Sequence, residues 1–295
     1  MFTVFSSRFL PELKEIIQRA GDEILKVYGR LEADWHVNFK EDRTPVTEAD
    51  RVANRIITDG LKRLFPNIPV ISEENRQLPY EIRHEFEYCW VLDPLDGTKE
   101  FLQRNGEFTV NLALVHKGRP VAGFILVPCR DCFYYAFRGE GAYKVAWGSA
   151  TAPLEKNDRE MKIPEAENNK AQGKVVSAQA IRLRVAEFSL DDPGLAVVAS
   201  RSHFDEDTRK FIESLNQPRL ISRGSSLKFM LLAEGQAHLY PRLGRTMEWD
   251  TAAGQAILEE AGGQVLEFYS RRPLTYNKES LVNPPFLATG KVLDK

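Results

Sequence analysis

Asp93-Pro94-Leu95-Asp96-Gly97-Thr98 decides how this chain is read. Two carboxylates three residues apart straddle a proline and run straight into a glycine and a hydroxyl. Hard divalent cations such as Mg²⁺ take oxygen ligands, usually a few carboxylates with waters and phosphate oxygens completing the shell. Asp93, Asp96 and the Leu95 carbonyl offer three such oxygens, and Pro94 fixes φ between the two acids. The following Thr98-Lys99-Glu100-Phe101-Leu102 reads as the first turn of a helix, whose free N–H groups suit a phosphate. Gly97 lets the backbone approach closely. An Asp-Gly pair alone marks an ordinary turn; the hexapeptide as a whole is far more specific and predicts a metal site abutting a phosphate cradle.

Other acidic elements lie on either side. Upstream, the strand-like Val70-Ile71-Ser72 runs into Glu73-Glu74, and in Thr44-Pro45-Val46-Thr47-Glu48-Ala49-Asp50 the spacing of Thr47 and Asp50 is that of a capping box. Downstream, in Trp249-Asp250-Thr251-Ala252-Ala253-Gly254, Asp250 opens an apolar helix that stops at Ala261-Gly262-Gly263. Taken singly, Asp250 is as readily a helix cap as a ligand.

In this order the elements closely resemble the inositol monophosphatase superfamily of Mg²⁺-dependent, lithium-sensitive phosphatases, over nearly the whole chain. Ser200-Arg201-Ser202-His203, Gly224-Ser225-Ser226-Leu227-Lys228-Phe229, Tyr240-Pro241-Arg242 and Lys99-Glu100-Phe101 narrow the likeness to its bacterial 3′(2′),5′-bisphosphate nucleotidase branch. Those enzymes act on 3′-phosphoadenosine 5′-phosphate, a product of sulfate assimilation. The resemblance implies a layered αβαβα sandwich of the α/β (α+β) class with two or three Mg²⁺ per site. One cation would be held by Glu73, Asp93 and the Leu95 carbonyl, a second by Asp93, Asp96 and Asp250.

Water attacks phosphorus directly in this family, and the candidates for orienting and deprotonating it are Thr98 with either Asp50 or Glu73. Backbone N–H groups of Gly97 and Thr98 would hold the phosphate that is cleaved. Lys228 and Arg242 would pair with the second phosphate, and Ser225 and His203 would add hydrogen bonds around the nucleotide. Inositol monophosphatase and fructose 1,6-bisphosphatase share the metal chemistry and are the neighbouring readings; a nucleotide sensor without catalysis is the reading from another class.

Composition agrees with an enzyme of small anionic substrates. The 295 residues are 43% hydrophobic, enough for a large core. Lys plus Arg number 40 against 42 Asp plus Glu, so no global basic field draws nucleic acid polymers. The three cysteines, Cys89, Cys129 and Cys132, are too few for a secreted disulfide framework, and Cys129-Arg130-Asp131-Cys132 has no second pair to complete a zinc site. The N-terminus lacks the basic and apolar blocks of a signal peptide, and no run reaches membrane-span length. A cytoplasmic location follows, with the resemblance adding a peripheral place on the inner membrane; oligomeric state, monomer or homodimer, is left open. Walker-type, His-Glu-x-x-His and Gly-x-Ser-x-Gly motifs are missing.

Apolar periodicity predicts two amphipathic helices before Pro66, then strands over 109–115, 121–127 and 132–137, with Gly139-Glu140-Gly141 as a tight hairpin turn. The polar stretch 150–194 reads as a connection or insertion between an N-terminal lobe (1–149) and a C-terminal lobe (195–295) of a single 1–295 domain. In the latter, strands at 195–199 and 237–240 alternate with helices near 205–215, 226–233 and 250–261.

Overall fold

The computed structural model describes residues 7–31, 35, 37–39, 45–146, 179–200 and 205–293. Its first two long elements are helical because apolar residues recur every third or fourth position. Helix α1 (Leu10–Tyr28) buries Leu13, Ile16, Ile17, Ala20, Ile24 and Val27, and α2 (Glu48–Leu64) buries Ala49, Ala53, Ile57 and Leu61. The strands β1 (Asn38–Phe39) and β2 (Pro45–Val46) pair antiparallel ahead of α2. Thr47 closes the N-terminus of α2 as the spacing predicted, with its hydroxyl accepting from Ala49 N–H and its own N–H donating to Asp50.

A seven-stranded sheet carries the site. Its order follows the chain: β3 (Val70–Ser72), β4 (Tyr88–Asp96), β5 (Thr109–His116), β6 (Arg119–Val127), β7 (Cys132–Phe137), β8 (Gly141–Ala146) and β9 (Ile181–Arg182). Only the β3–β4 pair is parallel. Two short helices, α3 (Tyr80–Arg83) and α4 (Thr98–Leu102), flank β4 in the chain.

Beyond it, β10 (Glu187–Phe188) pairs with β16 (Lys291–Val292). A five-stranded sheet has β12 (Arg219–Arg223), β11 (Ala196–Ser200) and β13 (Leu239–Arg242) running parallel, then β15 (Phe286–Thr289) and β14 (Gln264–Glu267) antiparallel. Helices α5 (Glu206–Glu213), α6 (Leu227–Ala233) and α7 (Ala252–Glu260) complete the fold.

The pleat sorts side chains into layers, because successive strand residues face opposite ways. Trp90, Leu92, Leu112, Leu114 and Phe124 pack with α1 and α2, whereas Val91, Ala113, Ile125 and Tyr134 pack with α6 and α7. Those two helices also meet Ala196, Val198 and Ala288, while Val197, Ala199, Leu239 and Leu287 turn away to Ile212 of α5. Helices, sheet, helices, sheet and helix alternate, which is the expected αβαβα layering.

Two local readings change. The strand placed at 237–240 runs Leu239–Arg242 instead, through Pro241. It pairs with β11 only at Val197↔Leu239, so the missing N–H of Pro241 removes no ladder bond on that side. Of the stretch 150–194, residues 150–178 lie outside those described; 179–194 is more than a plain connection, since Ile181–Arg182 extends the first sheet and Glu187–Phe188 pairs with the chain's end.

Candidate active site and metal centre

Spacing alone would put Asp93 and Asp96 on opposite faces of a strand, since residues three apart point opposite ways. A β-bulge corrects this. Asp93 pairs with Asn111 and Asp96 with Thr109, so three steps along β4 match two along β5. Thr109 and Asn111 share a face, and the two acids are drawn to one face with them. Within the bulge, Leu95 N–H donates to Asp93 Oδ1 at 3.0 Å. Gly97 then takes φ 94°, where a side chain is strained and a Cβ would stand 3.1 Å from the Glu107 carbonyl. The chain turns there into α4.

Asp96 is held by three donors at one oxygen. Ser225 and Ser226 hydroxyls donate to its Oδ2 at 2.8 and 2.9 Å, and Asn111 Nδ2 at 3.2 Å. Thr109 reaches Ser225 hydroxyl to hydroxyl at 2.5 Å. The second sheet's Gly224–Ser226 turn is thereby tied to the first sheet's bulge. Gly224 is needed for that approach, as a Cβ would fall 2.5 Å from Glu100 Cγ.

Asp250 arrives from a third direction. It closes a 3₁₀ turn, Glu248–Asp250, and accepts from Met247 N–H at 2.8 Å. The predicted helix start moves accordingly: α7 begins at Ala252, and Asp250 caps the turn before it. Carboxylate oxygens of Asp93, Asp96 and Asp250 lie within 4.8 Å of one another.

Such crowding is costly. Burial and then the neighbouring charges of Glu73, Asp96 and Asp250 push the Asp93 carboxyl well above the usual range. Burial and then Asp96 push Asp250 up to about 8. Among the described residues no lysine or arginine is ion-paired to any of the three. An all-oxygen donor set without an ion-paired cation fits a hard cation of the Mg²⁺ kind. Glu73, the other expected ligand, lines the same cavity, as does Leu95.

Thr98 and Asp50 meet across 48 positions of sequence, with Thr98 Oγ1 donating to Asp50 Oδ1 at 3.2 Å. The other Asp50 oxygen accepts from the Thr47 N–H at 2.7 Å and hydroxyl at 2.6 Å. Burial nonetheless pushes the Asp50 carboxyl up to about 7. Asp50 is 3% exposed and lies behind Thr98, which faces the cavity. The same aspartate thus caps α2 and accepts from a threonine of the cavity wall.

The cavity, about 250 Å³, gathers Glu73, Asp93, Leu95, Asp96, Gly97, Thr98, Ser225, Lys228, Arg242 and Asp250 along its walls. Lys228 is buried, with Nζ 2.5 Å from the Ser225 carbonyl and 5.5 Å from the Tyr240 ring centroid. Arg242 is also buried, and its Nη2 donates to the Arg245 carbonyl at 2.9 Å. Ser225, expected against the nucleotide, lines the cavity but directs its hydroxyl to Asp96. His203 lies outside the described residues. Sequence reasoning missed Asn111, Thr109 and Ser226 as supports of Asp96. The signal was present: Thr109 and Asn111 are polar residues, two apart, at the start of a strand that is otherwise apolar until His116.

With this geometry in hand, comparison with known proteins is decisive. Residues 7–294 match the model of the Inositol monophosphatase family. The chain belongs to that family. The 3′(2′),5′-bisphosphate nucleotidase CysQ of Salmonella typhimurium is 39% identical over 280 residues, 95% of this chain and 99% of that one. The protein of the same name from Escherichia coli K12 is 39% identical over 278 residues, 94% and 98% of the two chains. Among solved structures, CysQ from Bacteroides thetaiotaomicron, described as a bacterial member of the inositol monophosphatase family, superposes with a TM-score of 0.77. It is 37% identical and the match covers 98% of this chain and 99% of that one. A Thermotoga maritima IMPase shares the fold, with a TM-score of 0.70 at 23% identity over 96% and 92% of the chains. The family's enzymes are metal-dependent phosphatases, and the donor set described above is of the kind they require.

Proposed function

We propose that this chain is a Mg²⁺-dependent 3′(2′),5′-bisphosphate nucleotidase that hydrolyses 3′-phosphoadenosine 5′-phosphate to AMP and phosphate. The observation that carries the reading is one cavity holding both an all-oxygen cation site and the basic pair Lys228 and Arg242, in a chain 39% identical to nucleotidases of that name over 95% of its length. A reducing, cytoplasmic setting accords with three free thiols, of which burial pushes Cys89 and Cys129 up to about 12. Among the described residues no helix is long and apolar enough to cross a membrane.

Glu73, Asp93 and the Leu95 carbonyl would hold one cation and Asp93, Asp96 and Asp250 a second; a third would be reached from Asp50 through water. Bound Mg²⁺ supplies Lewis acidity and offsets the charge of the cleaved phosphate. The remaining work falls to side chains. Thr98 donates its hydroxyl hydrogen bond to Asp50 and so presents a lone pair to the attacking water, fixing its direction. The water proton then passes through Thr98 to Asp50, whose raised pKa suits a general base near neutrality. Gly97 and Thr98 N–H groups hold the phosphoryl oxygens as charge spreads over them. The P–O3′ bond breaks, and the nucleotide oxygen leaves with a proton from solvent.

Phosphate release should be measured from 3′-phosphoadenosine 5′-phosphate, inositol 1-phosphate and fructose 1,6-bisphosphate, with Mg²⁺, with chelator and with added lithium. Metal-dependent release at much the highest kcat/KM from the nucleotide is expected. Preference for the inositol or sugar phosphate would overturn the substrate while keeping the metal chemistry, and nucleotide binding without any hydrolysis would make the chain a sensor.

A further inference from the structure

The cavity is lined by four cationic side chains, Lys99, Lys228, Arg242 and Arg245; the first three lie in the motifs, the resemblance pairs only Lys228 and Arg242 with the second phosphate, and Arg245 lies in none. Lys99 stands on α4 directly after Gly97 and Thr98, beside the place of the cleaved phosphate. The other three belong to the second sheet's side of the cavity and are unequal. Lys228 is 7% exposed, with its ammonium on the Ser225 carbonyl and over the Tyr240 ring. Arg242 is 8% exposed and reaches back to the Arg245 carbonyl, tying down the loop 243–247. Against burial, hydrogen bonds from the Thr208 N–H and hydroxyl, and after them the Arg242 charge, hold the carboxyl of Asp205, the residue that caps α5, below its usual range. Both therefore have structural partners to keep.

Arg245 differs. It lies at the crest of the loop that Arg242 anchors, is exposed, and lines the cavity. Among the described residues its guanidinium has one hydrogen-bonding contact, the Met247 sulfur at 3.9 Å, and no ion pair. Sulfur is a weak acceptor. A guanidinium held over an anion-binding cavity by a fixed backbone, with its fork uncommitted, is suited to bidentate contact with a phosphate.

Resting on the nucleotidase reading, we infer that Arg245 is the specificity-determining residue for the second phosphate of the substrate, and that Arg242 positions it. The buried Lys228 and Arg242 set a positive floor; Arg245 closes on the 5′-phosphate from the mouth. Selection between a bisphosphate and a monophosphate is then made by a side chain that is not one of the carboxylates.

The test crosses a mutation with a truncated substrate. For wild type, R245A and R245K, kcat/KM is measured for 3′-phosphoadenosine 5′-phosphate and for 3′-AMP, which lacks the second phosphate. Equilibrium binding of AMP and of adenosine to the same proteins is followed by calorimetry. R245A should lower the bisphosphate to monophosphate ratio roughly tenfold or more, the worth of a charge-assisted contact, and should weaken AMP by a like factor relative to adenosine. R245K should restore part of both, since it keeps charge without the fork. A ratio in R245A equal to that of wild type, with wild type still preferring the bisphosphate, overturns the role of Arg245 alone. A wild type with no preference overturns the nucleotidase reading and this inference together.

Discussion

Glu248 and Asp250 sit two residues apart in one 3₁₀ turn, and the protein treats their charges in opposite ways. Glu248 is 0% exposed, yet accepts from the Asn277 and Lys278 N–H groups at 2.5 and 3.0 Å and from Lys278 Nζ at 2.6 Å. Asp250 receives one backbone N–H and shares its surroundings with two further aspartates. Buried carboxylates are tolerated when paired and hydrogen-bonded. Where the fold can satisfy an acid from within, as at Glu248, the acid braces the loop 275–283. Where it leaves three together with no ion-paired cation, and burial and mutual repulsion outweigh the more distant charge of Arg242, the balancing charge is expected from solution. The contrast separates an acid satisfied within the fold from acids that are not.

The contrast predicts opposite responses to neutralisation. Asp93→Asn removes a like charge from the cluster, so turnover should fall at least about 100-fold. In chelator the variant should melt no lower than wild type, and higher if repulsion dominates. Phosphate release and a melting curve check the two halves; a wild-type rate, or a folded state markedly weaker without metal, would break the comparison. Glu248→Ala should do the reverse. It leaves Lys278, whose side chain is 26% exposed, without its carboxylate, and the loss should be about 2–3 kcal/mol, below the range for a fully buried pair because water reaches the lysine. Denaturant unfolding reads it, and the stability loss should be the same with and without Mg²⁺.

The same distinction explains what could be read from sequence. Asp93 and Asp96 were legible as candidate ligands because cation ligands must be oxygen acids at short spacing; Asp250 reads equally as a helix cap and came only from the resemblance, as did the αβαβα order of the layers, while the helix and strand periods were strong in α1, α2, β5 and β6. The bulge was not legible. It depends on the register against Thr109 and Asn111, a long-range pairing with no local mark beyond Pro94. Strand β4 was hidden for a related reason: Pro94 interrupts it, and the residues after it read as a turn. Arg245 was invisible because a lone arginine after Leu243-Gly244 carries no pattern; only the cavity and the Arg242 contact give it meaning. Asp50 was read from spacing as a cap and from resemblance as a candidate for orienting water; the structure shows the cap and sets the other carboxylate oxygen against Thr98.

Acid should favour the metal-free protein at this site. Asp93, Asp250 and Asp50 have folded-state values raised above the ordinary carboxylate, the last two to about 8 and about 7. Between pH 4 and 8 the native state therefore holds more protons than the unfolded chain, and stability falls as pH rises through that window. Mg²⁺ competes with those protons. Its stabilising effect should be small at pH 5 and larger at pH 8, with roughly 2–4 °C in Tm for each kcal/mol. Melting curves at the two pH values, with Mg²⁺ or chelator, read this directly. An equal Mg²⁺ increment at both would mean that the carboxylates are already charged before the cation arrives.

The smallest expected effect tests how the site is held ready. Ser226 is one of three donors to Asp96 Oδ2, and its own oxygen lies 3.2 Å from the Asp250 carbonyl. It therefore bridges two elements from different parts of the chain. Hydrogen bonds to a ligand carboxylate orient it but also draw on its charge, so removing one has two opposed consequences. Asn111 and Ser225 remain to share the load in Ser226→Ala. Orientation should dominate, because the second sheet's turn then loses a tie to the bulge, and Mg²⁺ affinity should fall about tenfold, the lower end for loss of a ligand's supporting partner. Nucleotide KM at saturating Mg²⁺ should stay near wild type. If Ser226→Ala instead binds Mg²⁺ more tightly, the three donors are there to moderate the negative charge of Asp96, and the cavity floor is closer to internal compensation than its contrast with Glu248 suggests.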